Sequence, residues 1–182
     1  MYENKNFPKR KSTHLKRFDY NSNHRYFITI CSDKRKMIFG RITVGEGLAP
    51  PEMKLSVIGN AVKEQLLSIH NRYKNVTTEN YVIMPNHLHM ILRFENFSDY
   101  SDLDDKCSVQ PDTLHDIICS FKSLATRSCR QIGYNHPVWQ RSYFEHIIRN
   151  EEDYKNCWEY IDNNPAKWAE DRYYSLSEAD SY

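Results

Sequence analysis

The recurrence of hydrophobic positions divides the chain into strands and helices before any other property is considered. Residues 25 to 31 (RYFITIC) are β-branched and aromatic, the composition of a strand. Ile58, Val62, Leu66, Ile69 and Tyr73 recur at helical spacing and predict a helix from about 56 to 73. Between them, positions 32 to 54 show no period and hold Gly40, Gly45, Gly47 and Pro50-Pro51, so an irregular segment is expected. Strands follow at 77 to 84 and 87 to 94, joined through Pro85-Asn86 as an antiparallel hairpin. From Leu114 the apolar positions Ile117, Ile118, Phe121, Leu124, Ala125 and Ile132 mark a second helix whose other face bears Lys122, Arg127 and Arg130. A fourth strand is expected at 143 to 148. Asn150 then caps a third helix, with Glu151, Glu152 and Asp153 suiting its N-terminal dipole and Pro165 closing it.

The order β-α-β-β-α-β with a further helix predicts an α+β fold of the ferredoxin-like, split βαβ kind: an antiparallel sheet with helices on one face, plus a C-terminal helix. One domain is expected over 20–172, interrupted by an acidic, polar loop at 95–112 (Glu95, Asp99, Asp102, Asp104, Asp105). Before it lies a basic arm, 1–19, with Lys5, Lys9, Arg10, Lys11, Lys16 and Arg17; after it, a tail at 173–182. A basic arm is most often solvated, but it can also supply phosphate contacts without sequence information.

Composition narrows the function classes. At 182 residues and 40% hydrophobic the chain can bury one substantial core, and 13% aromatic content with five Gly opposes disorder. Lys and Arg number 25 against 24 Asp and Glu, so any nucleic-acid surface must arise from local segregation of charge. No stretch approaches the roughly 20 apolar residues of a membrane span, and no apolar leader opens the chain; no membrane association and a cytoplasmic location are the expectation. The five cysteines are odd in number and never form C-x-x-C, so they read as reduced thiols.

Two places carry candidate chemistry. On the strand at 87 to 94, alternation sends Leu88, Met90, Leu92 and Phe94 to the core face and His87, His89, Ile91 and Arg93 to the other. The two imidazoles are then about 6.6 Å apart along the strand, near enough to lean toward one cation. By itself His-x-His is more often the mark of two partly exposed histidines on a strand surface. On the third helix, Tyr154, Cys157, Trp158 and Ile161 define the buried stripe, and Tyr160 falls roughly 110° from its centre. Asn164 lies one turn later on the same flank. The bland alternative is a rim tyrosine and a helix-ending asparagine.

The stretch Tyr81-Val82-Ile83-Met84-Pro85-Asn86-His87-Leu88-His89, then Trp139-Gln140-Arg141, then Tyr160-Ile161-Asp162-Asn163-Asn164-Pro165, resembles the single-tyrosine HUH transposases of insertion sequences, and among them the REP-associated tyrosine transposases. The similarity runs from about 20 to 170, apart from the acidic loop. It implies that His87 and His89 bind a divalent metal, Mg²⁺ or Mn²⁺, that Tyr160 is the nucleophile, and that Asn164 supplies an oxygen ligand. That last position is Gln in many insertion-sequence relatives, and Asn163 is the neighbouring alternative. The implied activity is metal-dependent nicking and strand transfer of single-stranded, hairpin-forming DNA through a 5′-phosphotyrosine intermediate. A monomer is favoured over the helix-exchanging homodimer of the insertion-sequence relatives.

Such chemistry suits these groups. A phenol with a pKa of about 10 attacks an anionic phosphodiester only if the phosphate's charge is offset. Around the site, Trp139 and Tyr143 are candidates to stack on unpaired bases, with core packing the alternative for Trp139. Gln140, Arg141, Arg149, Lys122, Arg127 and Arg130 are the candidate DNA contacts. Two other readings compete: a hairpin-DNA-binding protein without efficient strand transfer, and a metallohydrolase in which His87 and His89 are joined by an acidic ligand such as Asp153.

Overall fold

A computed structural model describes residues 24–44, 50–95 and 113–174. The basic arm, the acidic loop from 96 onward and most of the tail lie outside the described residues. The main sheet has four antiparallel strands: β1 (Arg25–Cys31), β4 (Val76–Ile83), β5 (His87–Phe94) and β6 (Phe144–Ile148), in the order β4-β5-β1-β6. This is the strand order of a split βαβ sandwich, as the element sequence predicts. Helices α1 (Val57–Leu67) and α3 (Leu114–Gln131) cover one face and meet each other there. Tyr26, Ile28, Ile30, Leu88, Met90 and Leu92 point into that core, against Val62, Leu66, Ile117, Phe121 and Ala125.

The opposite face is covered as well. Helix α4 (Glu151–Asn163) lies over β4 and β5, packing Ile161 on Phe27, Ile91 and Ile148. Strands β1 and β5 are therefore buried on both sides, and every residue of β5 except Arg93 is buried. The start of α4 is set by Asn150, whose Oδ1 accepts from Asp153 N at 2.8 Å, as expected of an N-cap. Its end falls at Asn164, immediately before Pro165.

Two local expectations differ from the structure. The segment 32 to 54 is not wholly irregular: β2 (Gly40–Thr43) and β3 (Glu52–Leu55) pair with Gly40 opposite Leu55. Four-residue strands are too short to generate a readable alternation. Gly40 is required there, since it holds φ at +151° and a Cβ would lie 2.2 Å from Lys54 O. The helix expected over 56 to 73 breaks at Ser68 and resumes as α2 (Ile69–Arg72). Ser68 Oγ donates back to Gln65 O at 3.0 Å, the local competition with the helical ladder that serine favours.

Candidate functional site

The site is assembled where the histidine end of β5 meets α4 and the segment that follows it. The hairpin turn between β4 and β5 closes through Met84 N and His87 O at 2.8 Å, which starts β5 at His87 and puts His87 and His89 on the α4 side of the sheet. Their rings lie 4.6 Å apart. Both are fully buried rather than surface-exposed. The cover is the segment 168–174: Tyr173 lies 4.6 Å from the His87 ring and Trp168 5.9 Å.

Each imidazole is oriented by a partner on Nδ1. Asn86 donates through Nδ2 to Tyr173 O at 2.8 Å, so its Oδ1 faces His87 Nδ1, also at 2.8 Å. An amide oxygen can only accept; the His87 proton is on Nδ1 and the lone pair on Nε2. Thr29 Oγ1 sits 2.8 Å from His89 Nδ1, and as acceptor it sets the same tautomer. Burial pushes the His87 pKa down to about 4, and burial with the neighbouring His87 holds His89 well below the usual imidazole range. Both rings are neutral at pH 7, the state that ligates.

Tyr160 projects from α4 against the His89 ring, centroid to centroid 5.1 Å, and against Phe27 at 5.9 Å. It is 42% exposed, so its phenol is reachable from solvent. Its hydroxyl donates to Asp171 Oδ2 at 3.3 Å, and Asn164 Nδ2 donates to the same oxygen at 3.0 Å. Asp171 Oδ1 accepts from Tyr173 N at 2.6 Å. Burial and then the Asp171 charge raise the phenol pKa, so Tyr160 is protonated at neutral pH. Tyr160, Asn164, Asp171 and Arg172 line a cleft of about 430 Å³ that opens the site to solvent.

Three buried acceptors here have no hydrogen-bond partner among the described residues: His87 Nε2, His89 Nε2 and Asn164 Oδ1. Each such group left alone costs about 1–3 kcal/mol. A divalent cation fits a donor set of imidazole nitrogens and oxygens of this kind. Asp171 belongs to the same constellation, because one carboxylate oxygen and the ligand nitrogens of His87 and His89 lie within 4.8 Å of one another. Sequence reasoning missed it. It stands seven residues past Asn164 in a segment without period, and no motif marks it.

The structure sorts the remaining candidates. Lys122, Arg127, Arg130, Trp139, Gln140 and Arg141 share one groove of about 530 Å³ between α3 and the 137–141 segment. Within it, Lys122 Nζ is tied to the carbonyls of Gln140 (2.6 Å) and Arg141 (3.1 Å), and Trp139 donates to Lys122 O at 3.1 Å while packing on Phe39 and Phe121. Arg127, Arg130 and Arg141 are exposed. Gln140 N bonds Cys31 O, and Cys31 is the register partner of His87, so the groove runs up to the histidine end of the sheet. Tyr143 is half-buried, with its ring 6.3 Å from His115. Arg149 is not in this group; it lines a separate cleft of about 560 Å³ with Arg25 and Arg93. Nor does Asp153 reach the histidine pair. It accepts from Arg149 N at 3.1 Å and lies 2.9 Å from His146 Nε2 at the far end of α4, so the acidic residue beside the histidine pair is Asp171 and not Asp153. Asn163 lines the same cleft as Tyr160 and donates to Glu159 O at 2.8 Å.

A split βαβ sheet thus brings two buried imidazoles beside a helix-borne phenol. An uncharacterised protein of Haemophilus influenzae is 34% identical over 178 residues, spanning 91% of this chain and 93% of its own length. Another Haemophilus influenzae protein, named "Putative REP-associated tyrosine transposase", is 27% identical over 128 residues, 61% of this chain and 67% of that one. Among solved structures, a REP-associated tyrosine transposase bound to a REP hairpin superposes with a TM-score of 0.56 at 19% identity, covering 85% of this chain and 74% of the other. No protein-family model matches the chain. The chain is thus similar in sequence to a protein named as a REP-associated tyrosine transposase and shares the fold of a solved one.

Proposed function

We propose that this protein nicks and rejoins single-stranded, hairpin-forming DNA through a covalent 5′-phosphotyrosine on Tyr160, with a divalent cation, Mg²⁺ or Mn²⁺, held by His87, His89 and Asn164. The observation that carries this reading is the placement of the Tyr160 phenol on the ring of His89, whose Nε2, like that of His87, is buried with no partner among the described residues. When bound, the cation offsets charge on the scissile phosphate.

The chain's own groups supply the rest. Thr29 and Asn86 hold the two imidazoles in the ligating tautomer before any substrate arrives. The helix presents Tyr160 at a fixed height over β5, and the hydrogen bond to Asp171 Oδ2 orients its hydroxyl. Attack by the phenolic oxygen forms the Tyr160–phosphorus bond and breaks the bond from phosphorus to the 3′ oxygen; the phenol loses its proton and the departing 3′ oxygen gains one. The phosphoester energy is kept in the tyrosine ester, so a 3′-hydroxyl can reverse the step on another strand without ATP. Exposed Arg127, Arg130 and Arg141 in the α3 groove are suited to the phosphates of a folded strand.

The test is a denaturing gel after incubation with labelled single-stranded hairpin DNA and Mn²⁺ or Mg²⁺. A covalent protein–DNA adduct is expected from the wild type, with none from Tyr160→Phe or in the presence of chelator. Cleavage without an adduct, or an adduct that persists in Tyr160→Phe, overturns the reading. Tight binding with no cleavage would favour a binding protein, the reading that the completeness of the site opposes.

A further inference from the structure

We infer that Asp171 is a direct ligand of the cation held by His87 and His89, and the one that brings negative charge to it. This rests on the histidine reading above and adds a residue from outside the tyrosine helix. The first support is distance. One oxygen of Asp171 and the ligand nitrogens of both histidines lie within 4.8 Å of one another. A cation about 2.1 Å from each ligand holds neighbouring ligands about 3 Å and opposed ones about 4.2 Å apart, so the three groups are already nearly at coordination spacing.

The second support is polarity. Two buried nitrogen lone pairs and a carboxylate are all acceptors, and among the described residues no donor fills the space that His87 Nε2 and His89 Nε2 face. Acceptors gathered this closely repel unless something positive lies between them. A role as a simple hydrogen-bond hub accounts for the bonds that Asp171 makes to Tyr160, Asn164 and Tyr173. It does not account for the approach of its carboxylate to two neutral imidazoles. Those three bonds also leave the carboxylate a free lone-pair site, since each oxygen offers two.

The third support is charge. Arg35 and Arg172 both stand over the Tyr173 ring, 5.2 and 4.7 Å from its centre, and that ring lies 4.6 Å from His87. Two neutral imidazoles and an amide oxygen would leave a divalent cation uncompensated beside those guanidinium groups. Asp171 supplies the compensation, and Asn164 acts partly by holding its Oδ2 in place.

The experiment titrates Mn²⁺ alone into the metal-free full-length protein, following free Mn²⁺ by electron paramagnetic resonance and heat by calorimetry, for wild type, His89→Ala, Asp171→Asn and Asp171→Glu. We expect His89→Ala and Asp171→Asn each to weaken Mn²⁺ binding at least tenfold, and Asp171→Glu to remain closer to wild type than Asp171→Asn. Asp171→Asn within twofold of wild type, with His89→Ala weakened, overturns this inference and leaves the histidine reading standing. If neither variant loses affinity, both fall. A readout that needs no Asp171 variant is the infrared difference spectrum of ¹³C-aspartate-labelled protein with and without Mn²⁺. An aspartate carboxylate band that shifts in wild type and not in His89→Ala supports the inference, and its absence in wild type overturns it.

Discussion

His87 makes folding depend on pH in a direction its burial dictates. In the folded protein the ring resists protonation down to about pH 4, whereas in the unfolded chain it takes up a proton below about 6.5. The unfolded state therefore binds more protons between those values, and stability falls as pH drops through that window. The loss attributable to His87 is about 3 kcal/mol, complete below about pH 4, with His89 adding in the same direction. Denaturant unfolding of the metal-free protein at pH 7 and pH 4.5 should show it, and His87→Asn should flatten the difference. At this scale much of the site was legible: strand alternation put the two histidines on one face, and helical periodicity set Tyr160 and Asn164 on one flank. Their burial was not, because the cover comes from Trp168 and Tyr173 in a segment with no period. Thr29 reaches His89 from 60 positions away, and Asp171 reaches both histidines from beyond the end of α4. Such partners act through tertiary proximity, and no spacing rule encodes that.

Among elements, α4 matters most, since its start fixes the height of the tyrosine. Asn150 closes its first turn through Asp153 N. Asn150→Ala should cost about 1 kcal/mol, seen as a fall of about 2–4 °C in Tm, with a larger proportional loss of covalent adduct than of DNA affinity. The elements that could be read from the chain are those with a long period: α3, α4 and the strands of the main sheet. The ones that could not are short or decided by contact. The β2–β3 pair has four residues a side. The break between α1 and α2 rests on a single serine, and α1 itself lies against the turn before β2 so closely that a Cβ on Gly59 would come within 2.0 Å of Phe39 O. A glycine at a helix–backbone crossing looks, in sequence, like a weak spot in a helix.

For the whole molecule, a near-zero net charge coexists with a groove in which Arg127, Arg130 and Arg141 stand exposed together. If these meet phosphates, replacing all three with Ala should lower the slope of log affinity against log salt for hairpin DNA by about 2–3, at about 0.7–0.9 for each phosphate no longer neutralised. Arg149→Ala, in its separate cleft, should leave that slope closer to wild type. No described helix is long and apolar enough to cross a membrane. The two faces of the sheet are unequally cemented. The main core joins α1, α3 and the strands through a large cluster, whereas α4 rests on Phe27, Ile91 and Ile148 through Ile161, with half-buried neighbours around them. Regions with few buried apolar contacts open at lower free energy than the global fold. Tyr160 is thus mounted on the more lightly packed layer, and His87 and His89 on a strand buried on both sides. Tyr160 and the two imidazoles therefore have separate mechanical footings, so the phenol can shift relative to the rings without the main core opening.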